Sequence, residues 1–289
     1  MNDKQKILIL GSSGQLAKQF KLELAERKIP FDAPEESNSN VTDFGGIEKV
    51  ILSFSPTVVI NCSAYNAVDE AERKPDLAYL VNGKAVENLA QICARNGIFL
   101  VHYSSDYVFD GRKGAPYTEE DKPQPLNFYG KSKLSGERGV QDNLDQYLLL
   151  RTSWVYGDGT QNFIHKLLGW ATANKELKLS DDEISVPTST KDLAVFTILA
   201  LERQLTGLYH LTNGGYASRY EWGKFVLQQL GRNVTVVPVP MSTFPSVVQR
   251  PLFTAMSNRL LQSALGVSIP EWKSSCAQFL ASKVSGIRK

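Results

Sequence analysis

The chain has 289 residues, 42% of them hydrophobic and 10% aromatic, enough to bury a sizeable core and to exclude a disordered or fibrous polymer. Lys and Arg number 32 against 30 Asp and Glu, a formal net charge of +2, and no long basic run is present to neutralise a phosphate backbone, so nucleic acid is not an expected partner. Cys62, Cys93 and Cys276 are widely spaced without a C-x-x-C pair, and His102, His165 and His210 stand singly, so neither a disulfide framework nor a metal site is expected, and a reducing cytoplasm is the expected location.

The polar N-terminus runs into a short apolar stretch, Ile7–Leu10, too brief for a signal core or a membrane span, and no later segment is long enough to cross a bilayer. That stretch is instead predicted to be a strand, and Leu16, Phe20 and Leu24 at i, i+4 and i+8 predict a helix directly after it. Between them lies Gly11-Ser12-Ser13-Gly14-Gln15-Leu16-Ala17. A glycine turn there permits close backbone approach, and the amides and positive end of the following helix suit a pyrophosphate, although an ordinary glycine-bearing turn would look the same. Asp32 follows at nearly the distance where a carboxylate accepts hydrogen bonds from an adenosine ribose, but a solvated loop between Pro30 and Pro34 is equally compatible. No neighbouring arginine favours an extra phosphate, so the residues lean to NADH over NADPH.

Further strands are predicted at 57–61, 99–104 and 147–151, apolar on both faces as in a parallel sheet covered by helices on each side, with a helix over 75–96 stopped by Gly97. The segment Ser104-Ser105-Asp106-Tyr107-Val108-Phe109 closes one of these strands at its carboxyl end, where open parallel sheets bind ligands; a Ser105 hydroxyl there can hydrogen-bond a substrate carbonyl, or the serines can simply form a turn. Tyr129-x-x-x-Lys133 on a helix puts a phenol and an ammonium on one face, one turn apart, and a nearby cation favours the phenolate; alone, this spacing is common on surface helices. A glycine turn, a Ser-Asp pair and a Tyr-Lys pair in this order at the ends of successive elements make coincidence hard to sustain. Beyond Trp154, helices are predicted near 162–174, 191–203 and 220–230, with a strand at 208–211. Pro238, Pro240, Pro245 and Pro251 then interrupt any long element, marking a small lobe that closes over a ligand. The expected architecture is α/β: a Rossmann-type doubly wound parallel sheet in 1–158, with 187–213 returning to it, and a smaller C-terminal α/β substrate-binding lobe from 159–186 and 214–289.

On these motifs the chain resembles the dTDP-4-dehydrorhamnose reductases of the extended short-chain dehydrogenases, over almost its whole length. Gly11-x-x-Gly14-Gln15-Leu16 is similar to the family's cofactor turn, and Asn61-Cys62-Ser63-Ala64-Tyr65-Asn66-Ala67-Val68-Asp69-Glu70-Ala71-Glu72 to its stretch after the third strand. Ser105-Asp106-Tyr107-Val108-Phe109, Tyr129-Gly130-Lys131-Ser132-Lys133 and Arg151-Thr152-Ser153-Trp154-Val155-Tyr156-Gly157 resemble its catalytic and following segments, and Asn162-Phe163, Pro187-Thr188, Tyr209-His210 and Arg250-Pro251 extend the likeness. The resemblance implies that Gly14, Gln15, Leu16, Ser63, Ala64 and Tyr65 line an NADH or NADPH dinucleotide, that Ser105, Tyr129 and Lys133 are catalytic, with Tyr129 and Lys133 also touching the cofactor, that Asp106 and Trp154 touch the sugar, and that Arg250 lies near the nucleotide diphosphate.

The chain departs from the family pattern at Ala17, where glycine is usual, at Asn40-Val41, where Asp and an apolar residue contact adenine, and at Glu183-Ile184-Ser185-Val186, where a Gln and a Gly are usual. The expected activity is hydride transfer to C4 of a dTDP-linked 4-keto-6-deoxysugar, giving a nucleotide sugar such as dTDP-L-rhamnose for a cell-surface glycan. Alternatives are a related 4-ketosugar reductase, a non-catalytic dinucleotide-binding regulatory subunit, and a sister epimerase or dehydratase; a homodimer is compatible with each.

Overall fold

A computed structural model describes residues 6–287. Strand β1 (Ile7–Leu10) is buried throughout and turns directly into α1 (Gln15–Glu26). After β2 (Phe31–Asp32) come α2 (Phe44–Phe54), whose first turn is capped by Asp43 accepting from the Gly46 amide, and β3 (Val58–Asn61). α3 (Val68–Arg73) and α4 (Pro75–Tyr79) lead through a π turn, Leu80–Lys84, into α5 (Ala85–Asn96). Gly97 ends α5 in the left-handed region, as the sequence pattern predicts, but the wider π turn inside 75–96 was not foreshadowed by the apolar periodicity.

β4 (Phe99–Ser105) ends in a 3-10 turn over Asp106–Val108, and a long connection then reaches α6 (Phe128–Asn143), capped by Asn127, and β5 (Tyr147–Thr152). Next come β6 (Val155–Tyr156), α7 (Phe163–Ala173), β7 (Glu176–Ser180), β8 (Ile184–Ser185), β9 (Thr188–Ser189), α8 (Thr190–Glu202) and β10 (Gly207–His210). β11 (Ala217–Ser218), α9 (Arg219–Gln229), β12 (Thr235–Val239), α10 (Arg259–Leu265) and α11 (Trp272–Ile287) complete the order.

Six strands form one parallel sheet in the order β10-β5-β4-β3-β1-β2. The strands alternate sides: Ile7 and Ile9 pack with Phe20, Leu24 and Leu193, while Leu8 and Leu10 pack with Ile47, Leu89 and Ile92. Helices therefore cover both faces, which explains why the strands read as unbroken apolar runs. The chain leaves β1 toward β2 on one side and continues from β3 toward β4 on the other, so the crevice at the carboxyl ends of β1 and β3 is the topological switch point.

A third core lies around Trp222, Tyr156, Leu167, Leu177 and Trp272. Here β7 and β12 pair in parallel and α7, α9 and α11 pack around them. Pro238 lies inside β12, a position open to proline because β12 has a single neighbour in its two-stranded sheet. Leu261, Leu265 and Ile269, by contrast, pack into the first core beneath the main sheet. Glu137 on α6 and Arg151 on β5 form a bidentate ion pair with both side chains almost wholly buried, Nε to Oε1 at 2.8 Å and Nη2 to Oε2 at 2.6 Å. This pair pins α6 to the sheet.

Candidate active site

Gly11 follows the last residue of β1 and adopts φ +73°. A Cβ there would lie 2.7 Å from the Ser63 amide nitrogen and 2.8 Å from its Cα, so the turn after β1 touches the loop after β3 backbone to backbone. Gly14 is the residue before α1, in ordinary extended conformation at φ −67°, and no side chain caps the helix. Uncapped first-turn amides beside a turn of this closeness fit the pyrophosphate of a dinucleotide. Ala17 is fully buried, and its small side chain lets α1 lie against the sheet.

Gln15 fastens this turn to the rest of the molecule, donating to the Val155 carbonyl at 3.1 Å and accepting from Asn162 Nδ2 at 3.2 Å, with neighbouring Leu16 partly buried against the main core. Asp32 lies exposed at the carboxyl end of β2, with one oxygen accepting from the Ala33 amide. Asn40 and Val41 are engaged locally: the Asn40 side-chain Oδ1 accepts from the Thr42 amide and hydroxyl, and Val41 is packed into the core with Leu8 and Leu10.

The loop of Ser63, Ala64 and Tyr65 is held from two sides. Asn61, buried at the end of β3, accepts from the Ser63 amide and hydroxyl, and its Nδ2 meets His102 Nδ1 at 3.2 Å. Burial and the nearby Lys133 charge hold His102 well below its usual range, so it is a neutral imidazole accepting at Nδ1. Asn82, in the π turn, clamps the Tyr65 backbone at both its N–H and C=O and donates to Ser132 Oγ, which donates to the Tyr129 carbonyl. One side chain thus joins the candidate cofactor loop to α6.

Tyr129 and Lys133 occupy one buried face of α6, as their spacing predicts. A Cβ on Gly130 would overlap the Tyr107 carbonyl, so this glycine lets α6 approach the turn that carries Ser105. Burial raises the Tyr129 phenol to about 12, the Ser105 hydroxyl works against that shift, and Asp106 adds to it; at neutral pH the group is a protonated acid. Its hydroxyl lies 3.4 Å from Asn66 Oδ1, and its ring packs edge-on against Tyr107. Burial lowers Lys133 to about 8, with Glu137 one turn on opposing the shift, and Lys133 Nζ donates to the Tyr103 carbonyl at 2.5 Å.

Beside these groups opens a cavity of about 810 Å3 lined by Asn66, Asp69, Tyr107, Phe163, Leu179, Glu183, Arg219, Met241, Phe244 and Arg250 among others. The size and the mixture of aromatic walls and polar groups suit an extended small molecule. Arg250 reaches across it to both carboxylate oxygens of Asp69 at 2.7 Å. Trp154 stacks on Trp222 with ring centroids 5.7 Å apart, and Arg219 lies 3.5 Å over the Trp154 ring. Asp106 is 2% exposed, and its two oxygens accept from Ser105 at 3.0 Å, Ser185 at 2.8 Å and Thr254 at 2.5 Å. Burial raises this carboxyl, while the three hydroxyls and the Arg219 charge pull it back. The carboxylate is thus committed to binding together β4, β8 and the segment after Arg250.

The carboxyl ends of β1, β2, β3 and β4 gather Gly11, Gly14, Asp32, Ser63 and Ser105, and α6 brings Tyr129 and Lys133 to the same edge. The sequence pattern did not foreshadow Asn82 and Arg219 as members of this site, and it brought in Asn66 and Glu183 only through the resemblance, one inside the stretch after the third strand and the other as a departure from the family pattern. Ser218 and Glu221 form a capping box that marks the start of α9, a signal that does place Arg219 at the head of a helix.

Comparison with known proteins gives a consistent result. The family described as RmlD substrate binding domain matches residues 5–285. A dTDP-4-dehydrorhamnose reductase of Sinorhizobium fredii is 32% identical over 281 residues, covering 93% of this chain and 95% of that protein. The crystal structure of a dTDP-4-dehydrorhamnose reductase from Clostridium acetobutylicum superposes with a TM-score of 0.94 at 34% identity, over 97% of this chain and 100% of that one. That of a dTDP-4-dehydrorhamnose reductase from Bacillus anthracis, in complex with NADP, superposes at 0.93 with 31% identity, over 96% and 99%.

Proposed function

Since the chain belongs to the RmlD substrate-binding-domain family and to the dTDP-4-dehydrorhamnose reductases, we propose that Ser105, Tyr129 and Lys133 carry out the reaction this membership implies, the NAD(P)H-dependent reduction of dTDP-4-dehydrorhamnose to dTDP-rhamnose. The observation that supports these assignments is the protonated Tyr129 phenol beside Ser105, with Lys133 one turn on and a nucleotide-sized cavity alongside.

When bound, the reduced nicotinamide supplies the hydride that C4 of the sugar receives. The chain's own residues do the rest. Ser105, turning its one hydroxyl proton from Asp106 to the C4 carbonyl oxygen, donates to that oxygen and holds it in place. Tyr129 delivers its proton to that oxygen as charge develops there, and the resulting phenolate takes a proton from solvent. The Lys133 cation lowers the cost of the phenolate, and its reach along the same helix face suits a ribose hydroxyl. Arg250 supplies donors for the diphosphate oxygens, and Trp154, with Arg219 lying over its ring, borders the sugar. Asp106, held in place by Ser185 and Thr254, orients Ser105 as well as bordering the sugar.

We divide the chain between these tasks as a cofactor-binding unit, 1–158 with 187–213, and a substrate-binding lobe, 159–186 and 214–289, out of which α10 and Ile269 return to pack on the main sheet; β10 pairing with β5 supports the return of 187–213. Among the described residues no helix is long and apolar enough to cross a membrane, and the three thiols, all free, support a reducing, cytoplasmic location as part of this reading.

The test is consumption of NADH or NADPH with dTDP-4-dehydro-L-rhamnose. Tyr129→Phe removes only the proton donor, so kcat is expected to fall by about 10²–10⁴-fold with cofactor affinity nearly intact. Near wild-type kcat in that variant would show that Tyr129 is not the acid.

A further inference from the structure

The wall of the cavity nearest Asp106 carries a carboxylate and a guanidinium side by side, and the reductase mechanism above does not use them. Glu183 and Arg219 oppose each other at the end of the β8–β11 ladder: Ile184 pairs with Ser218, and the Arg219 amide donates to the Glu183 carbonyl at 3.3 Å. Arg219 Nε then donates to Glu183 Oε2, also at 3.3 Å. The Ser218–Glu221 capping box fixes the start of α9, and the guanidinium lies over the Trp154 ring and within 5.1 Å of the Phe163 ring centroid. Backbone pairing, capping and stacking all hold the pair, so it is preorganised rather than a flexible surface contact.

Two observations point to a ligand. Among the described residues, no protein acceptor engages the η nitrogens of Arg219, although both residues line the cavity and their side chains are only 22% and 9% exposed. The pair is also wired to the catalytic hydroxyl: Ser185, two residues after Glu183, donates to the same Asp106 carboxylate that accepts from Ser105. The Arg219 charge also acts on Asp106, and both Glu183 and Arg219 act on Tyr107 next to it, so the pair lies close to the turn that carries Ser105.

Resting on the reductase reading, we propose that Glu183 and Arg219 form a hydroxyl-reading dyad that sets which hexose is reduced. The ion pair is neutral overall, which suits a diol better than an anion. A carboxylate oxygen accepts from one sugar hydroxyl while an Arg219 η nitrogen donates to its neighbour, and Trp154 backs the guanidinium. Arg250, paired with Asp69 rather than with Glu183, is left for the diphosphate. A site built to hydrogen-bond a substrate hydroxyl discriminates strongly against the analogue that lacks it, because buried polar groups are then left without partners.

The experiment compares kcat/KM for dTDP-4-dehydro-L-rhamnose with that for its 2-deoxy and 3-deoxy counterparts, in the wild-type chain and in the double variant Glu183→Gln/Arg219→Met. Changing both residues avoids leaving one buried charge unpaired, and an NADPH-induced rise in melting temperature confirms that the variant folds and binds cofactor. Wild-type protein is expected to favour the fully hydroxylated sugar by about 10²-fold or more over at least one deoxy counterpart, and the double variant by about tenfold or less. A double variant that keeps the wild-type ratio overturns the dyad while leaving the reductase reading intact. Loss of equal size on all three sugars also overturns it, placing Arg219 on the diphosphate instead. Wild-type protein inert toward all three sugars overturns the reductase reading itself.

Discussion

Replacing Gly11 by alanine tests whether the cofactor turn is built on backbone contact. At φ +73° an alanine Cβ costs about 1–2 kcal/mol in the left-handed region. The same Cβ would lie 2.7 Å from the Ser63 nitrogen and 2.9 Å from the Cys62 carbonyl carbon. These are backbone atoms of a loop tied down by Asn61 and Asn82, so relief requires the loop to shift, which adds about 1–3 kcal/mol. Together the penalty is about 2–5 kcal/mol. An unfolding entropy of about 2.1 cal/mol/K per residue over this chain is about 0.6 kcal/mol/K, which converts the penalty to a melting temperature lowered by about 3–8 °C. Gly14→Ala is the control: its φ of −67° suits any residue, and the nearest atom to its Cβ is the Gly11 oxygen at 3.3 Å. Gly14→Ala should melt within about 1–2 °C of wild type. Both variants are then scanned with NADPH at a hundredfold its Kd, where binding to the native state alone contributes about 2.7 kcal/mol. Gly11→Ala should lose most of that gain, because the loop it displaces carries Ser63, Ala64 and Tyr65. A Gly11→Ala protein that melts like wild type and keeps its full NADPH shift would refute both the strain and the placement of the dinucleotide.

Lys133 titrates near 8 rather than its ordinary 10.5, so its cation is present below that pH and lost above it. The rate of the reduction should therefore fall as pH rises through about 8, and a rate flat to pH 9.5 would remove Lys133 from the proton step. The same shift makes the unfolded chain hold more protons between about 8 and 10.5, so this residue raises folding stability as pH increases through that window. Arg151→Met leaves Glu137 buried without its partner and should cost about 3–5 kcal/mol by chemical denaturation, whereas a loss below about 1 kcal/mol would mean that the pair does not pin α6. Arg250→Gln should raise KM for the nucleotide sugar by about 10–100-fold with kcat little changed, and an unchanged KM would sever Arg250 from the diphosphate.

What the sequence made legible is what depends on neighbours along the chain. Five strands and five helices follow from runs such as Ile7–Leu10 and from stripes such as Leu16, Phe20 and Leu24, because burial on a sheet imposes a local period. The Gly11 turn and the Tyr129–Lys133 face were legible for the same reason, each being confined to one turn and one helix. The rest depends on residues far apart. Asp106 reads as a residue beside a catalytic serine, yet its acceptors are filled by Ser185 and Thr254, 79 and 148 positions away. No pattern within the loop announces that. The π turn at Leu80–Lys84 was hidden because one extra residue in a helical turn barely disturbs an apolar stripe, while it rotates Asn82 into position to clamp Tyr65.

Trp154 ties the two sides of the site together on grounds independent of any family pattern. It is one of four residues other than glycine with positive φ among those described, at +41°, a conformation costing about 1–3 kcal/mol that persists only when its surroundings over-determine it. The surroundings do so here. Ser153 donates to the Val186 carbonyl at 2.8 Å, the Trp154 carbonyl accepts from the Thr188 amide at 3.3 Å, and β6 pairs with β9 immediately afterwards. The bend turns the chain out of β5, a strand of the cofactor sheet, and delivers the indole against Trp222 and Arg219 of the second core. A relaxed backbone at this residue would continue the strand and leave the ring elsewhere. The strain therefore has a structural consequence: it sets the indole between the strand ends that carry Ser105 and Arg151 and the helix that carries Arg219. The cavity wall at Arg219 and the edge of the main sheet are joined at one residue, and the same bend fixes the position of each relative to the other.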